Sequence, residues 1–114
     1  MSGVEALYQE SIKAWARADH AHGTLDAASG EARLDNPLCG DRVRVQVRVV
    51  AGRIEAIAQE TRGCLLCRAA ASLLGQRAAG QDADGIAAAT AALEAVLVRG
   101  EAPPAAWPEL DMFV

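Results

Sequence analysis

At 114 residues the chain has room for one small domain around a single, modest core. Hydrophobic residues make up 52% of it but aromatic residues only 4%, so helices can approach closely while few large side chains anchor the interior. The net charge of −4 argues against nucleic acid as a partner, because phosphate binding needs a clustered positive face.

Residues 4–17 carry Val4, Leu7, Tyr8, Ile12 and Trp15 at helical spacing, with Ser2 as a cap, and predict an amphipathic helix. Asp19-His20-Ala21-His22-Gly23 breaks that pattern and Gly30 marks a further turn. Between them, residues 24–28 are expected to supply a short edge strand. Residues 42–50 then alternate, with Val43, Val45, Val47 and Val49 on one side and Arg42, Arg44, Gln46 and Arg48 on the other. Period two with β-branched residues predicts a half-buried antiparallel strand. The arginines concentrated there read as a solvated strand face. Ala51-Gly52-Arg53 is a turn, and residues 54–61 return with Ile54, Ala56 and either Ala58 or Ile57 inward.

A helix of small and apolar residues is expected over 64–79, stopped near Gly80. Asp82 caps a second one over 84–98, whose Ile86, Ala89, Leu93, Val96 and Leu97 form a stripe, and Gly100 ends it. Pro103-Pro104 opens a loop, and residues 107–114 form a short turn or helix. The sum is one α+β domain over residues 1–114: a small antiparallel sheet of about three strands with helices packed on one face. A core of this size implies modest stability, to which a bound metal or self-association into a homo-oligomer would add.

No apolar run approaches the roughly 18–20 residues that cross a bilayer. Residues 1–5 lack the basic start and apolar stretch of a signal peptide. A cytoplasmic location without membrane contact is therefore expected. In that reducing compartment three cysteines, an odd number, read as ligands or reactive thiols rather than as disulfides.

Two segments concentrate the chemistry: Asn36-Pro37-Leu38-Cys39-Gly40-Asp41 before the hairpin and Gly63-Cys64 after it. A hairpin brings its own ends together, so Cys39 and Cys64 are expected at the same end of the sheet. Each thiol adjoins a glycine that leaves room for a bulky ligand. Two thiols and a carboxylate suit a soft, thiophilic metal or a sulfur-rich cluster. Asp41 could equally cap its own turn by bonding backbone N–H groups. Cys64 precedes a helix, whose N-terminus stabilises a thiolate. Cys67, one turn further, either points toward the same spot or packs with Ala71 and Leu74 as a small hydrophobe. Arg62 either steers anions toward the site or is simply solvated. His20 and His22, beside Asp19 in a polar loop, read as solvated rather than ligating.

The stretch NPLCGDRVRVQVRVVAGRIEAIAQETRGCLLCRAAAS resembles the core of the NifU-like (IscU/SufU) iron–sulfur cluster assembly scaffolds. It shows their N-P-x-C-G-D turn, their hairpin, and their G-C followed by a small-residue helix, here with Ala69 and Ser72. The resemblance runs back to Leu7-Tyr8 and Gly23-Thr24-Leu25 and forward through Gly80 and Gly100 to Trp107-Pro108-Glu109-Leu110. It implies a SufE/NifU-like fold and a non-catalytic scaffold. On such a scaffold a transient iron–sulfur cluster is built from iron and from sulfur supplied by a cysteine desulfurase, then passed to recipient apo-proteins. It also implies that Cys39 and Cys64 ligate the cluster, that Asp41 tunes it, and that Zn2+ occupies the site when no cluster does. Two departures stand out. The family's third cysteine follows the segment matching residues 107–114, and the sequence ends at Val114 without it. Cys67 is an additional thiol; with Cys39, Asp41 and Cys64 it would complete a four-ligand set. Two alternatives follow: a zinc-binding or regulatory paralogue that docks on a cysteine desulfurase without assembling a cluster, and a sulfurtransferase or thiol–disulfide activity of Cys64 and Cys67.

Overall fold

The computed structural model describes residues 3–36, 40–99 and 107–113. In chain order it shows α1 (Gly3–Ala18), β1 (Gly30–Asn36), β2 (Asp41–Val50), β3 (Arg53–Arg62), α2 (Leu65–Arg77), α3 (Ala83–Arg99) and a 3-10 segment, Pro108–Phe113. The strands form one antiparallel sheet in the order β1-β2-β3. The α+β expectation holds, with the helices on one side. Gly100, Pro103 and Pro104 lie outside the described residues, as do the side chains of Val4, Leu7, Tyr8, Leu93, Val96 and Leu97.

The β2–β3 hairpin turns at Ala51 and Gly52, with φ +53° and +76°. Two positive φ values mark the mirror-image turn whose twist matches that of paired strands. Val43, Val45 and Val47 stand opposite Thr61, Gln59 and Ile57, and so share their face. That face meets the helices: Val43 lines a cavity with Ala70 and Ala71, and Val47 lines another with Ile86. A bulge near the turn pairs Arg48 with Ala56 but Val49 with Ile54, leaving Glu55 unmatched. The extra residue puts Ile54 and Ile57 on the same, inward side. Ala56, expected inward, consequently turns outward with Ala58, which is buried beside its partner Gln46 on the opposite face.

The edge strand lies further along the chain than expected. Residues 24–28 are not a strand; they cross the outer face of the sheet, where Leu25 N–H donates to the Gln46 side-chain carbonyl (2.9 Å) and the Ala27 carbonyl accepts from Arg48 Nε (3.3 Å). Gly30, read as a turn, begins β1 instead. The sequence GEARLDN has no run of β-branched residues, so β1 gives little local signal. It is held by pairing with β2 and by ion pairs of Arg44 with Glu31 and Arg42 with Asp35. The hydrogen bond from Arg42, with Arg33 adding, keeps the Asp35 carboxyl below the usual carboxylate range.

The opposite edge is closed by residues 21–23. Gln59 N–H donates to the Ala21 carbonyl (2.9 Å), and Gly23 N–H donates to the Gln59 carbonyl (3.0 Å). The Gln59 side chain, 1% exposed, is fully partnered as well. Its Nε2 donates to Asp19 Oδ1 (2.8 Å) and to the His20 carbonyl (3.0 Å), while Oε1 accepts from Thr61 Oγ1 (2.6 Å). Asp19 and Ala21 sit at φ +46° and +64°, a conformation costly for residues with a Cβ. The Gln59 bonds hold them there.

Helix α2 rests on this loop. Ser72, fully buried, accepts the His20 N–H at 2.9 Å, and Gly75 lies so close that a Cβ there would strike the His20 carbonyl and come within 2.9 Å of Ala21 Cβ. On its other side α2 meets α1 and the 3-10 segment, where Ala16, Ala69, Leu73, Trp107, Leu110 and Met112 form the buried core with Ile12 and Trp15 at its margin. Arg77 lies 4.5 Å over the Trp107 ring and pairs with Glu109. No helix among the described residues is long and apolar enough to cross a membrane.

Gly75→Ala tests this contact. Helix propensity alone would favour alanine by about 1 kcal/mol. The clash is with a carbonyl that Gln59 holds in place, and overpacking of this kind costs about 1–3 kcal/mol. The variant is expected to lower the urea midpoint despite its better helix former; a raised midpoint would show that the loop yields.

Candidate functional site

The end of the sheet opposite the hairpin turn gathers the candidate residues. Asn36 pairs with Asp41, and Arg42 with Arg62, so the β1–β2 connection and the β3–α2 junction emerge side by side. Gly40, at φ +72°, leads into β2 in a conformation that favours glycine. Cys39, Leu38 and Pro37 lie outside the described residues, so the expected meeting of Cys39 with Cys64 does too.

Asp41 and Cys64 do meet. Asp41 Oδ1 accepts the Cys64 N–H at 3.2 Å. The carboxylate occupies the space where a side chain on residue 63 would sit: a Cβ built on Gly63, at φ +158°, would come within 2.8 Å of Asp41 Cγ. The room beside Gly63, expected to admit a ligand, is therefore taken by the carboxylate itself. Asp41 bonds backbone, as a capping role requires, but the backbone belongs to the other motif.

Cys64 is the N-cap of α2, with extended backbone (φ −66°, ψ 166°) and no side-chain capping bond. Its thiol is exposed. Leu65 and Leu66, the first residues of the helix, are also exposed, at 41% and 51%. The unpaired N–H groups of the helix start and an exposed thiol with no capping bond leave this point open to a metal ion or another electrophile.

Cys67 is half-buried and faces a cavity of about 290 Å³ between β2, α2, α3 and the 3-10 segment, walled mainly by Val43, Leu73, Leu74, Trp107 and Leu110. Burial pushes its thiol above the ordinary value, and negative charge on Asp41 and Cys64 pushes the same way. Cys67 thus lines the same cavity as Ala71 and Leu74, while it still feels the charge of both other candidates.

Among the described residues no three His, Cys, Asp or Glu side chains stand close enough to hold a metal ion. Arg62 is exposed opposite Arg42. His20 lies edge-on to Trp15, ring centroids 5.4 Å apart, and His22 Nδ1 is 3.1 Å from Asp19 Oδ2. Both histidines belong to the loop that Gln59 and α2 hold. Sequence reasoning missed Gln59 itself; the signal was a polar residue on the valine-facing side of β3.

Residues 7–106 match the family described as NifU-like N terminal domain. The chain belongs to that family. Its fold overlays on the N-terminal part of a NifU-like protein from Brucella abortus with a TM-score of 0.87 at 26% identity, covering 98% of this chain and 78% of that one. A SUF-system scaffold protein from Fervidobacterium islandicum, at 18% identity and TM-score 0.82, shares the fold over 97% of this chain and 82% of its own. The iron-sulfur cluster assembly scaffold protein IscU of Streptococcus pyogenes is 30% identical over 105 residues, which are 92% of this chain and 65% of the relative. A protein of the same name from Thermotoga maritima is 31% identical over 75 residues, 66% of this chain and 53% of its own length. This NifU-like domain thus spans less than two thirds of the curated relatives it matches.

The two exposures predict unequal reactivity. With iodoacetamide at neutral pH, Cys64 should alkylate at least about tenfold faster than Cys67, because Cys64 is open to the reagent while burial both shields the Cys67 thiol and pushes it up. Peptide mapping after partial labelling reads the ratio; equal rates would place Cys67 on the surface.

Proposed function

We propose that this domain is an iron–sulfur cluster assembly scaffold. In this reading iron and sulfide are its cargo, and Cys39, Asp41 and Cys64 hold the growing cluster. Sulfur arrives from a cysteine desulfurase as a persulfide on Cys64, and the finished cluster leaves to recipient apo-proteins. The observation that carries the reading is the Asp41 carboxylate lying against Gly63 and bonded to the Cys64 N–H, which joins the two motifs of the family resemblance at one point. Family membership and the scaffold relatives support it.

The donor set suits transient holding. Thiolates bind cluster iron well, whereas a carboxylate oxygen is the weaker partner and leaves one corner labile. Cys39, two residues before Asp41 in the chain, is assigned the second thiolate of the set. Cys67, turned toward the apolar cavity, is left out of the ligand set. The protein contributes binding and release here rather than a catalytic step.

Anaerobic reconstitution with ferrous iron, L-cysteine and a cysteine desulfurase tests the reading. Charge-transfer absorption in the visible range with matching iron and sulfide is expected. A colourless protein that retains stoichiometric zinc would overturn it in favour of the regulatory alternative. Asp41→Ala should lengthen the lifetime of the reconstituted cluster at least about threefold, because it removes the labile oxygen corner from which the cluster is released. Gly63→Ala, which displaces the same carboxylate, should act in the same direction. A shorter lifetime in both would contradict the role given to Asp41.

A further inference from the structure

Cys64 and Cys67 occupy the N-cap and the third helical position of α2. Side chains at these two positions reach one another across a helix start: the N-cap side chain leans over the N–H of the third residue, whose side chain reaches back. In α2 the N-cap makes no such bond, so the Cys64 thiol is not tied to backbone. The outer thiol is exposed and the inner one half-buried. A protein donor can therefore reach Cys64 more readily than Cys67.

We propose that Cys67 is the resolving thiol for sulfur delivered to Cys64, so that the pair releases sulfide and becomes a disulfide. The inference rests on the reading that Cys64 accepts sulfur as a persulfide. Sulfur in a persulfide is two electrons more oxidised than the sulfide a cluster needs. The Cys67 thiolate attacks Cys64 Sγ, forming the Sγ–Sγ bond. The bond from Cys64 Sγ to the outer sulfur breaks, and its electron pair leaves with that sulfur as HS−. The proton shed by Cys67 passes to solvent or to the departing sulfide. Two thiols are oxidised to a disulfide and one sulfane sulfur is reduced to sulfide. A dithiol reductant then restores both thiols for another round.

The geometry permits closure. Residues three apart on a helix have Cβ atoms about 5–6 Å apart, and a disulfide needs about 3.5–4.5 Å. Cys64 lies outside the helical conformation, so its side chain can turn toward Cys67 without a change in the helical backbone of α2.

A single-turnover experiment decides the matter. A cysteine desulfurase charged with one persulfide, freed of L-cysteine and of reductant, is mixed anaerobically with the reduced protein. Trapped sulfide is measured, and the tryptic peptide of residues 63–68, which contains Cys64 and Cys67 but not Cys39, is weighed. Wild type is expected to release about one sulfide per chain and to yield this peptide two hydrogens lighter. Cys67→Ser should release at least about tenfold less sulfide and keep the peptide one sulfur atom heavier. If wild type also keeps the extra sulfur and releases no sulfide, the resolving role of Cys67 is wrong while sulfur acceptance at Cys64 stands. If neither protein acquires sulfur or releases sulfide, the acceptance reading itself fails and takes this proposal with it.

Discussion

Because Arg42 stands opposite Arg62, the residues just beyond that pair, Asp41 and Gly63, are driven into contact as the hairpin strands end. Every feature of the candidate site descends from that register. A slip by one residue would turn Asp41 to the other face of the sheet and separate its carboxylate from the start of α2. The bulge at Glu55 sits near the hairpin turn, so it adjusts which isoleucines face inward without disturbing the pairs at the site end. Glycine at 63 is then a steric necessity: the carboxylate already fills the volume a larger residue would claim.

Helix α2 is held at two points along its length. At its first turn Asp41 holds the Cys64 N–H. Further along, Ser72 and Gly75 press against residues 20 and 21, and those residues are fixed on β3 by the buried Gln59 amide. A buried amide with every group satisfied is a demanding arrangement, since leaving one of its partners unpaired costs about 1–3 kcal/mol. Here it makes the loop, the helix and the hairpin a single unit, which keeps the exposed thiol of Cys64 at a defined place.

Much of this was legible in the sequence, and where it was not, the reason is physical. The valine–arginine alternation of β2 announced a hairpin, and the capping aspartate at 82, whose carboxylate accepts the Gly85 N–H at 2.8 Å, announced α3. β1 was placed too early because its residues have no intrinsic strand character; only pairing with β2 makes them one. The inward set of β3 was misjudged at Ala56 because one unmatched residue changes the parity of everything before it. At the site, hairpin geometry predicts that the segments before β2 and after β3 share one end of the sheet, and Asp41 and Cys64 do meet there. That the carboxylate would use the glycine's empty volume required coordinates, since nothing local distinguishes a glycine that admits a ligand from one that admits a neighbour.

The two borders of the sheet are treated differently. Along β3, residues 21–23 already consume backbone groups of the outer strand. Along β1, residues 31–35 are all exposed, with Glu31, Arg33 and Asp35 alternating in sign. An open strand flank is a template for unwanted association, and fixed charges are the usual deterrent. The same acidic groups that fasten β1 to Arg42 and Arg44 therefore also discourage a stray chain from adding itself to the sheet.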